Sequence, residues 1–285
     1  MDPVFGFSLL KAAALGLVQG LTEFLPVSSS GHLVLFQNIF GMKEPMISFD
    51  IALHAGTLIA VFVYLRAEIW GVLAGLYEFI GGKRDVVVHE ENPAFRAPVA
   101  FPRLWIYILI TLIPTGVMAI GGRSFVEAAF GDIRFVAAAW MIMGIALLAS
   151  LKFHDGKKTM FEMGWQRALM IGVAQAVALF PGISRSGSTI LAAMILGIKR
   201  DDAAKFSFLI YIPAILGAIV LDIEEGLREV SRVVWEILVG FVVAAVTGYL
   251  VIAWLMAIIK QARFFLFGYY CLLLSLVLFI VLELT

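Results

Sequence analysis

In a region that is otherwise apolar, the chain reads Pro26-Val27-Ser28-Ser29-Ser30-Gly31-His32, and a related segment reads Pro181-Gly182-Ile183-Ser184-Arg185-Ser186-Gly187-Ser188-Thr189. The tetrad Ser28–Gly31 thus returns as Ser184–Gly187 after 156 residues, the difference between 184 and 28. The same offset pairs Gly16 with Gly172, Gln19 with Gln175 and Phe24 with Phe180. Polar sequence that breaks a helix, at matching positions of two apolar halves, predicts a buried site between inverted repeats of a membrane protein.

The composition also indicates an integral membrane protein. The chain has 285 residues, of which 62% are hydrophobic and 15% charged, whereas soluble domains are roughly 45 to 50% apolar. A transmembrane helix needs about 20 apolar residues, and long continuous runs favour helices over the alternating strands of a barrel. We therefore predict an all-α fold with six transmembrane helices, at 49–65, 104–121, 132–151, 204–221, 235–258 and 264–283.

Four further apolar pieces, which flank the two polar breaks, are too short to span: 9–25, 31–40, 168–180 and 188–198. Irregular backbone at membrane depth persists only where protein or water satisfies its hydrogen bonds. Each pair therefore predicts a re-entrant helical hairpin, over 9–40 and over 168–198. We expect a single membrane domain over 1–285, with repeat one over approximately 1–150 and repeat two over approximately 151–285.

The distribution of lysine and arginine sets the expected orientation, because positive residues are retained on the cytoplasmic side. One side of this topology holds 14 of the 21 basic residues, the other holds 6, and Arg185 lies in the predicted site. The basic side includes a proline-containing connector at 81–103, preceded by a candidate interfacial helix at 67–80. The charge cluster at 222–229 lies on the opposite side, and the first hairpin is expected to enter from outside.

Other features limit the functional class. The formal net charge is zero, which argues against nucleic-acid binding. Cys271 is the one cysteine, so an intramolecular disulfide is excluded and a small apolar filler is the expected role. His54 is expected to make a hydrogen bond in helix packing. A homodimer is compatible with the sequence, which does not set the oligomeric state.

Polar side chains around the two breaks suit an anionic ligand. Gln19 and Glu23 are four residues apart and so share one helical face. Each return helix begins within its polar segment, where free backbone N–H groups and the helix dipole favour an anion. Together with Arg185 and the hydroxyls, this pattern suits phosphate or diphosphate.

A carboxylate beside such an anion predicts a divalent cation between them. Glu23, with the side-chain oxygen of Gln19 as a weaker partner, offers hard oxygen ligands for Mg²⁺ or Ca²⁺. His32 can act as base or nucleophile, a serine hydroxyl can attack phosphorus, and Arg185 can stabilise the charge that develops.

The motifs Gln19-x-x-x-Glu23, Pro26–His32 and Pro181–Thr189 resemble those of the bacterial undecaprenyl-diphosphate phosphatases of the bacitracin-resistance type. The resemblance implies hydrolysis of undecaprenyl diphosphate to undecaprenyl phosphate and inorganic phosphate, with a divalent cation, Mg²⁺ or Ca²⁺. This reaction recycles the lipid carrier of peptidoglycan synthesis and confers bacitracin resistance. The resemblance also implies a multi-pass protein of the bacterial cytoplasmic membrane. The first hairpin, which is expected to enter from outside, favours a site open to the extracytoplasmic side.

Roles follow from the resemblance by matching position. Glu23, with Gln19, would hold the metal, and Arg185 would bind the diphosphate. The nucleophile is open between Ser29 and His32. Hydroxyl groups of the two breaks would contact phosphate, namely those of Ser28, Ser30, Ser184, Ser186 and Thr189.

Two other functions are weighed against this one. A secondary transporter or flippase for an anionic lipid also uses inverted repeats and half-helix N-termini, but does not need a carboxylate, a histidine and clustered hydroxyls together. A lipid phosphatase of the phosphatidic-acid type shares Ser30-Gly31-His32, but Ser184-Arg185 is not followed by a histidine at that family's spacing.

Overall fold

The computed structural model describes residues 8–41, 47–80, 101–227 and 233–284. These residues form twelve α-helices, a short 3₁₀ turn at Ser150–Lys152 and no β-strand. The helices are α1 Leu9–Thr22, α2 Ser29–Ile39, α3 Ile47–Tyr64, α4 Arg66–Ile80, α5 Phe101–Gly121, α6 Arg123–Phe130, α7 Ile133–Ala149, α8 Gly164–Val177, α9 Arg185–Ile195, α10 Arg200–Leu227, α11 Val234–Lys260 and α12 Leu266–Leu284.

Six of these helices are long and apolar enough to cross a membrane, namely α3, α5, α7, α10, α11 and α12. They coincide with the six predicted spans, so the all-α membrane fold is confirmed. Their boundaries differ by a few residues. The largest differences are at α10, which runs from Arg200 to Leu227 rather than from 204 to 221. At its start, Asp201 pairs with Lys205 one turn later (3.4 Å), which accommodates charge in the first turn.

Some predicted segments fall partly outside the described residues. The interfacial segment at 67–80 is helical, as α4. Residues 81–100 of the predicted connector lie outside the described residues. The last three residues of the connector, 101–103, belong to α5, which begins at Phe101. The side chains of the charge cluster at 222–229 also lie outside.

The two polar breaks separate pairs of shorter helices that pack against each other, α1 with α2 and α8 with α9. Ser28 and Gly182 take left-handed backbone conformations in these breaks, with φ of 67° and 86°. Such angles end one helix and turn the chain into the next. Two helical hairpins therefore stand where the sequence predicts them, and their re-entrant course in the membrane stays a prediction.

Each hairpin packs against a long helix of the opposite half of the chain, α1 against α11 and α8 against α5. The related glycines mark both contacts: a Cβ on Gly16 would lie 2.6 Å from the Gly240 oxygen, and one on Gly172 would lie 2.6 Å from the Thr111 oxygen. Small residues allow this approach of backbones. The reciprocal packing is what inverted repeats would produce, while the repeat boundaries stay a prediction.

Helices α7 and α12 support the first break from behind. Trp140 donates through Nε1 to the carbonyl oxygen of Val27 (3.0 Å), and the Cys271 thiol donates to that of Pro26 (3.5 Å). Gly31 leaves room for the Trp140 ring, since a Cβ there would approach it to 2.8 Å. These contacts satisfy carbonyl groups that the broken helix leaves without partners.

Candidate active site

The repeated serines are helix caps in both halves. Ser28 Oγ accepts from the Gly31 N–H (3.3 Å) and Ser184 Oγ accepts from the Gly187 N–H (3.0 Å). Capping by serine satisfies a backbone donor that has no partner in the first turn. The tetrad thus repeats because each return helix, α2 and α9, begins with the same serine cap.

The second break contacts the first directly. Ser184 Oγ and Ser186 Oγ both donate to the carbonyl oxygen of Leu25, at 3.4 and 3.1 Å. The N-termini of α2 and α9 are held close together by these bonds, as the sequence predicts. Their free N–H groups make one region that favours an anion.

An ion pair joins the two breaks at the floor of the site. Arg185 Nη2 donates to Glu23 Oε1 at 2.8 Å, and the two side chains are 16% and 7% exposed. Glu23 Oε2 accepts from the Ser29 hydroxyl (2.6 Å) and from Gln19 Nε2 (2.9 Å). A buried carboxylate needs such partners, and the Ser29 hydroxyl is one of them.

Arg185 is held in a fixed orientation. Its guanidinium carbon lies 4.1 Å from the centre of the Tyr211 ring, and Nη1 donates to the Ser207 carbonyl oxygen (3.4 Å). The Tyr211 hydroxyl is in turn hydrogen-bonded with Thr57 Oγ1 (2.9 Å). An arginine stacked on an aromatic face keeps its planar fork available for a phosphate.

A cavity of about 510 Å³ lies over this ion pair. Its polar floor comprises Glu23, Ser28, Ser29, Ser30, Ser184 and Arg185. Its walls are mainly apolar and come from α5 and α10, and they reach Ile120, Phe130 and Leu221. These three residues lie at the end of the molecule for which the sequence predicts the extracytoplasmic side.

Four predicted site residues lie outside the cavity wall. His32 is 3% exposed, donates through Nδ1 to the Ser28 carbonyl oxygen (2.7 Å), and accepts through Nε2 from the Tyr270 hydroxyl (2.8 Å). Thr189 pairs with the Ser207 hydroxyl (2.6 Å), and Ser186 and Gln19 are fully buried. All four support the fold of the site, and their direct roles in binding or catalysis stay predictions.

His54 and Tyr211 both line the cavity, whereas the sequence predicts only a packing hydrogen bond for His54 and gives Tyr211 no role. His54 donates through Nδ1 to the Asp50 carbonyl oxygen (2.8 Å), the packing bond expected of it, and its Nε2 lies 3.8 Å from Glu23 Oε2. In this part of the chain the two halves align at an offset of 157 residues rather than 156, because 206 minus 49 and 211 minus 54 are both 157. That shift matches His54 with Tyr211 and Phe49 with Phe206, but a single offset of 156 hides it.

The residues present fit a cation that is bound mainly by phosphate. Glu23 is the carboxylate of the floor, and the described residues contain no group of three His, Cys, Asp or Glu that could hold a metal. Gln19 turns its amide nitrogen towards Glu23, and its Oε1 is buried without a partner. Mg²⁺ is often held by one or two carboxylates plus substrate phosphates, with water completing the shell.

Comparison with known proteins matches nearly the whole chain to one family. The family model of the bacitracin resistance protein BacA matches residues 12–277. The chain is 37% identical to an undecaprenyl-diphosphatase of Methanobrevibacter smithii, covering 95% of this chain and 96% of that protein. It is 38% identical to one of Desulfatibacillum aliphaticivorans (92% and 94% covered) and 39% identical to one of Korarchaeum cryptofilum (92% and 95% covered).

Proposed function

Since the chain belongs to the bacitracin resistance protein BacA family, we propose that it hydrolyses undecaprenyl diphosphate to undecaprenyl phosphate and inorganic phosphate. This activity would recycle the lipid carrier of peptidoglycan synthesis and confer bacitracin resistance. The observation that supports it most is the contact of Ser29, Glu23 and Arg185 at the floor of a cavity with apolar walls. A nucleophile, a base and a fixed cation lie where a lipid head group can enter.

The cavity has a polar part and an apolar part, which match the diphosphate and the prenyl chain of the substrate. The apolar walls of α5 and α10 receive the first prenyl units, and the diphosphate reaches the N-termini of α2 and α9. Arg185 then divides its donors between Glu23 and the phosphate oxygens, because a guanidinium offers five N–H groups. The cavity reaches the predicted extracytoplasmic end, and we place the protein in the bacterial cytoplasmic membrane with its site open to that side.

Ser29 is the nucleophile in this proposal, because its hydroxyl lines the cavity and donates to Glu23 Oε2 at 2.6 Å. Its oxygen attacks the terminal phosphorus while Glu23 takes the proton. The bond from phosphorus to the bridging oxygen breaks, and undecaprenyl phosphate leaves with the electron pair. Water then attacks the phosphoserine and gives a proton to Glu23. The bond from phosphorus to Ser29 Oγ breaks, phosphate leaves, and Ser29 Oγ takes a proton from Glu23. Arg185 stabilises the charge in both steps.

His54 assists Glu23 in this scheme. Its Nδ1 proton is committed to the Asp50 carbonyl oxygen, so Nε2 faces Glu23 as the free nitrogen of the ring. At 3.8 Å, a small movement or a water molecule lets the proton received by Glu23 pass to Nε2. This relay keeps Glu23 able to accept a proton from water in the second step, and the proton on His54 Nε2 leaves with the released phosphate.

A divalent cation, Mg²⁺ or Ca²⁺, belongs to the proposal as a group bound with the substrate. Glu23 would supply the protein carboxylate, and Gln19 would join it only if its amide oxygen turned towards Glu23. When bound, such a cation neutralises diphosphate charge beside the carboxylate. A homodimer also stays a prediction.

The decisive experiment measures phosphate release by the purified protein. Detergent-solubilised protein is mixed with a polyprenyl diphosphate in Mg²⁺ or Ca²⁺, and then after removal of divalent cations with a chelator. We expect release that depends on the cation. Liposomes that show movement of lipid or anion without any phosphate release would instead support the transporter.

A further inference from the structure

A second cavity, of about 440 Å³, lies on the side of the molecule that the sequence predicts to be cytoplasmic. It is formed where α7 ends, α8 begins and α9 ends, and the loop 153–158 closes it. Its lining shares no residue with the cavity of the candidate active site. Any ligand that it binds is therefore separate from the diphosphate.

The lining of this second cavity is strongly basic. Four permanent cations line it, Lys152, Lys157, Lys158 and Arg167, against one carboxylate, Asp155, which gives a formal charge of 4 minus 1, or +3, with His154 neutral. Asp155 already accepts a backbone hydrogen bond from Arg200 (2.9 Å). Among the described residues, none of the three lysines forms an ion pair with a carboxylate within 4 Å. The Glu162 carboxylate, outside the lining, interacts electrostatically with Lys158, and the charges of Lys152 and Lys157 are left for a ligand.

The basic loop is fixed in place before any ligand binds. Lys158 donates through its backbone N–H to the Gly197 carbonyl oxygen (3.2 Å), and Lys199 donates back to that of Lys158 (2.9 Å). Gly156 packs tightly on Gly197, where an added Cβ would meet backbone atoms at 2.4 Å. Arg167, in the first turn of α8, donates to the Leu196 carbonyl oxygen (3.0 Å) and so ties the start of α8 to the end of α9. A rigid site loses little entropy on binding.

Large apolar side chains border the basic cavity. Ile195 lines the cavity and is 57% exposed. Leu151, next in sequence to the lining residue Lys152, is 56% exposed, and Trp165, near the start of α8, is 57% exposed. Tryptophan is enriched where a membrane meets water. A charged floor beside exposed apolar groups matches a molecule with a phosphate at one end and hydrocarbon at the other.

We propose that this cavity binds the phosphate head group of an anionic phospholipid of the adjoining leaflet, with an acyl chain against Ile195. Anionic lipids accumulate in the cytoplasmic leaflet, and basic pockets between transmembrane helices bind their head groups. The site pins the α8–α9 hairpin at the end opposite to Arg185. The bound lipid therefore stabilises the helix that carries the catalytic arginine.

The test uses the full chain, purified in a neutral detergent, with native mass spectrometry and thermal unfolding as readouts. Phosphatidylglycerol, phosphatidylcholine and inorganic phosphate are added separately at equal concentration. We expect phosphatidylglycerol alone to give retained adducts and a raised unfolding midpoint. Equal effects of phosphatidylcholine would overturn the proposal, and equal effects of inorganic phosphate would overturn its assignment to a lipid.

A charge-matched pair of variants tests the location. Lys157→Gln/Lys158→Gln should weaken binding of phosphatidylglycerol at least about tenfold, since each lysine near a lipid head group contributes on the order of 1 kcal/mol. Lys260→Gln/Arg263→Gln removes the same charge from the same side but outside the cavity and should bind as the wild type does. An equal loss in both pairs would show attraction by net charge and refute the site. Should the first pair fail to fold, Lys152→Gln on the facing wall is the substitute.

Discussion

The two broken hairpins share a backbone design but differ in chemistry. Both use a serine to cap the return helix, and both pack on the opposite half of the chain through a glycine. The first hairpin has Glu23 and Ser29 where the second has Leu179 and Arg185. The two segments therefore share the residues that the turn requires and differ at the neighbouring positions. The difference allows an ion pair between the breaks, which two copies of either segment alone could not form.

The largest effect on hydrolysis should come from Arg185→Ala, which removes the cation that the second hairpin contributes to the ion pair. We expect phosphate release to fall by about a thousandfold or more, because the arginine both binds the anion and stabilises the charge of transfer. Release is measured on purified protein, and membrane insertion is quantified by fractionation. Arg134→Ala, an exposed arginine outside the cavity, is the matched control.

A purely structural role for Arg185 makes a different prediction. Removing one partner of a buried ion pair destabilises a protein by about 3 to 5 kcal/mol, so the single variant could lose activity through unfolding. Glu23→Gln/Arg185→Gln removes both charges and should restore much of the unfolding midpoint. Recovery of hydrolysis together with stability would show that the pair only holds the hairpins together.

The second test compares Ser29 with His32, which the sequence could not separate as nucleophiles. Ser29→Ala should reduce kcat by about a thousandfold, since the attacking oxygen is lost. His32→Asn should reduce kcat far less and lower the unfolding midpoint, because it loses the contacts to Ser28 and Tyr270. Mass spectrometry of rapidly quenched reactions should place the phosphoryl group on Ser29. A phosphohistidine at His32 would reverse this assignment.

His54→Gln should have a smaller effect, about 10- to 100-fold in kcat, as expected for loss of assistance to a general base. KM and the unfolding midpoint should stay close to the wild-type values. The control is Arg134→Gln, a substitution at an exposed residue that lines neither cavity. A KM increase with unchanged kcat would mean that His54 only contacts substrate.

The sequence predicted those parts of the molecule that depend on local information. The length of the apolar runs predicted the six spans. The repeat predicted both breaks and the proximity of Glu23, Ser29 and Arg185. The face on which His32 lies was not predictable, because it depends on Tyr270, which is 238 residues away along the chain. The contact of His54 with Glu23 was missed for a related reason: the one-residue shift in the repeat concealed the match of His54 with Tyr211.

The smallest effects should come from the glycines that the hairpins share, and they test whether the two halves are packed equivalently. Gly16→Ala and Gly172→Ala each force a methyl group against a backbone oxygen at 2.6 Å, and overpacking of this kind costs about 1 to 3 kcal/mol. Both should lower the thermal unfolding midpoint by similar amounts. Gly217→Ala, whose Cβ would have no neighbour within 4 Å, should leave it unchanged or raise it slightly. A large loss from one hairpin glycine and none from its counterpart would mean that the symmetry of the fold does not extend to its energetics.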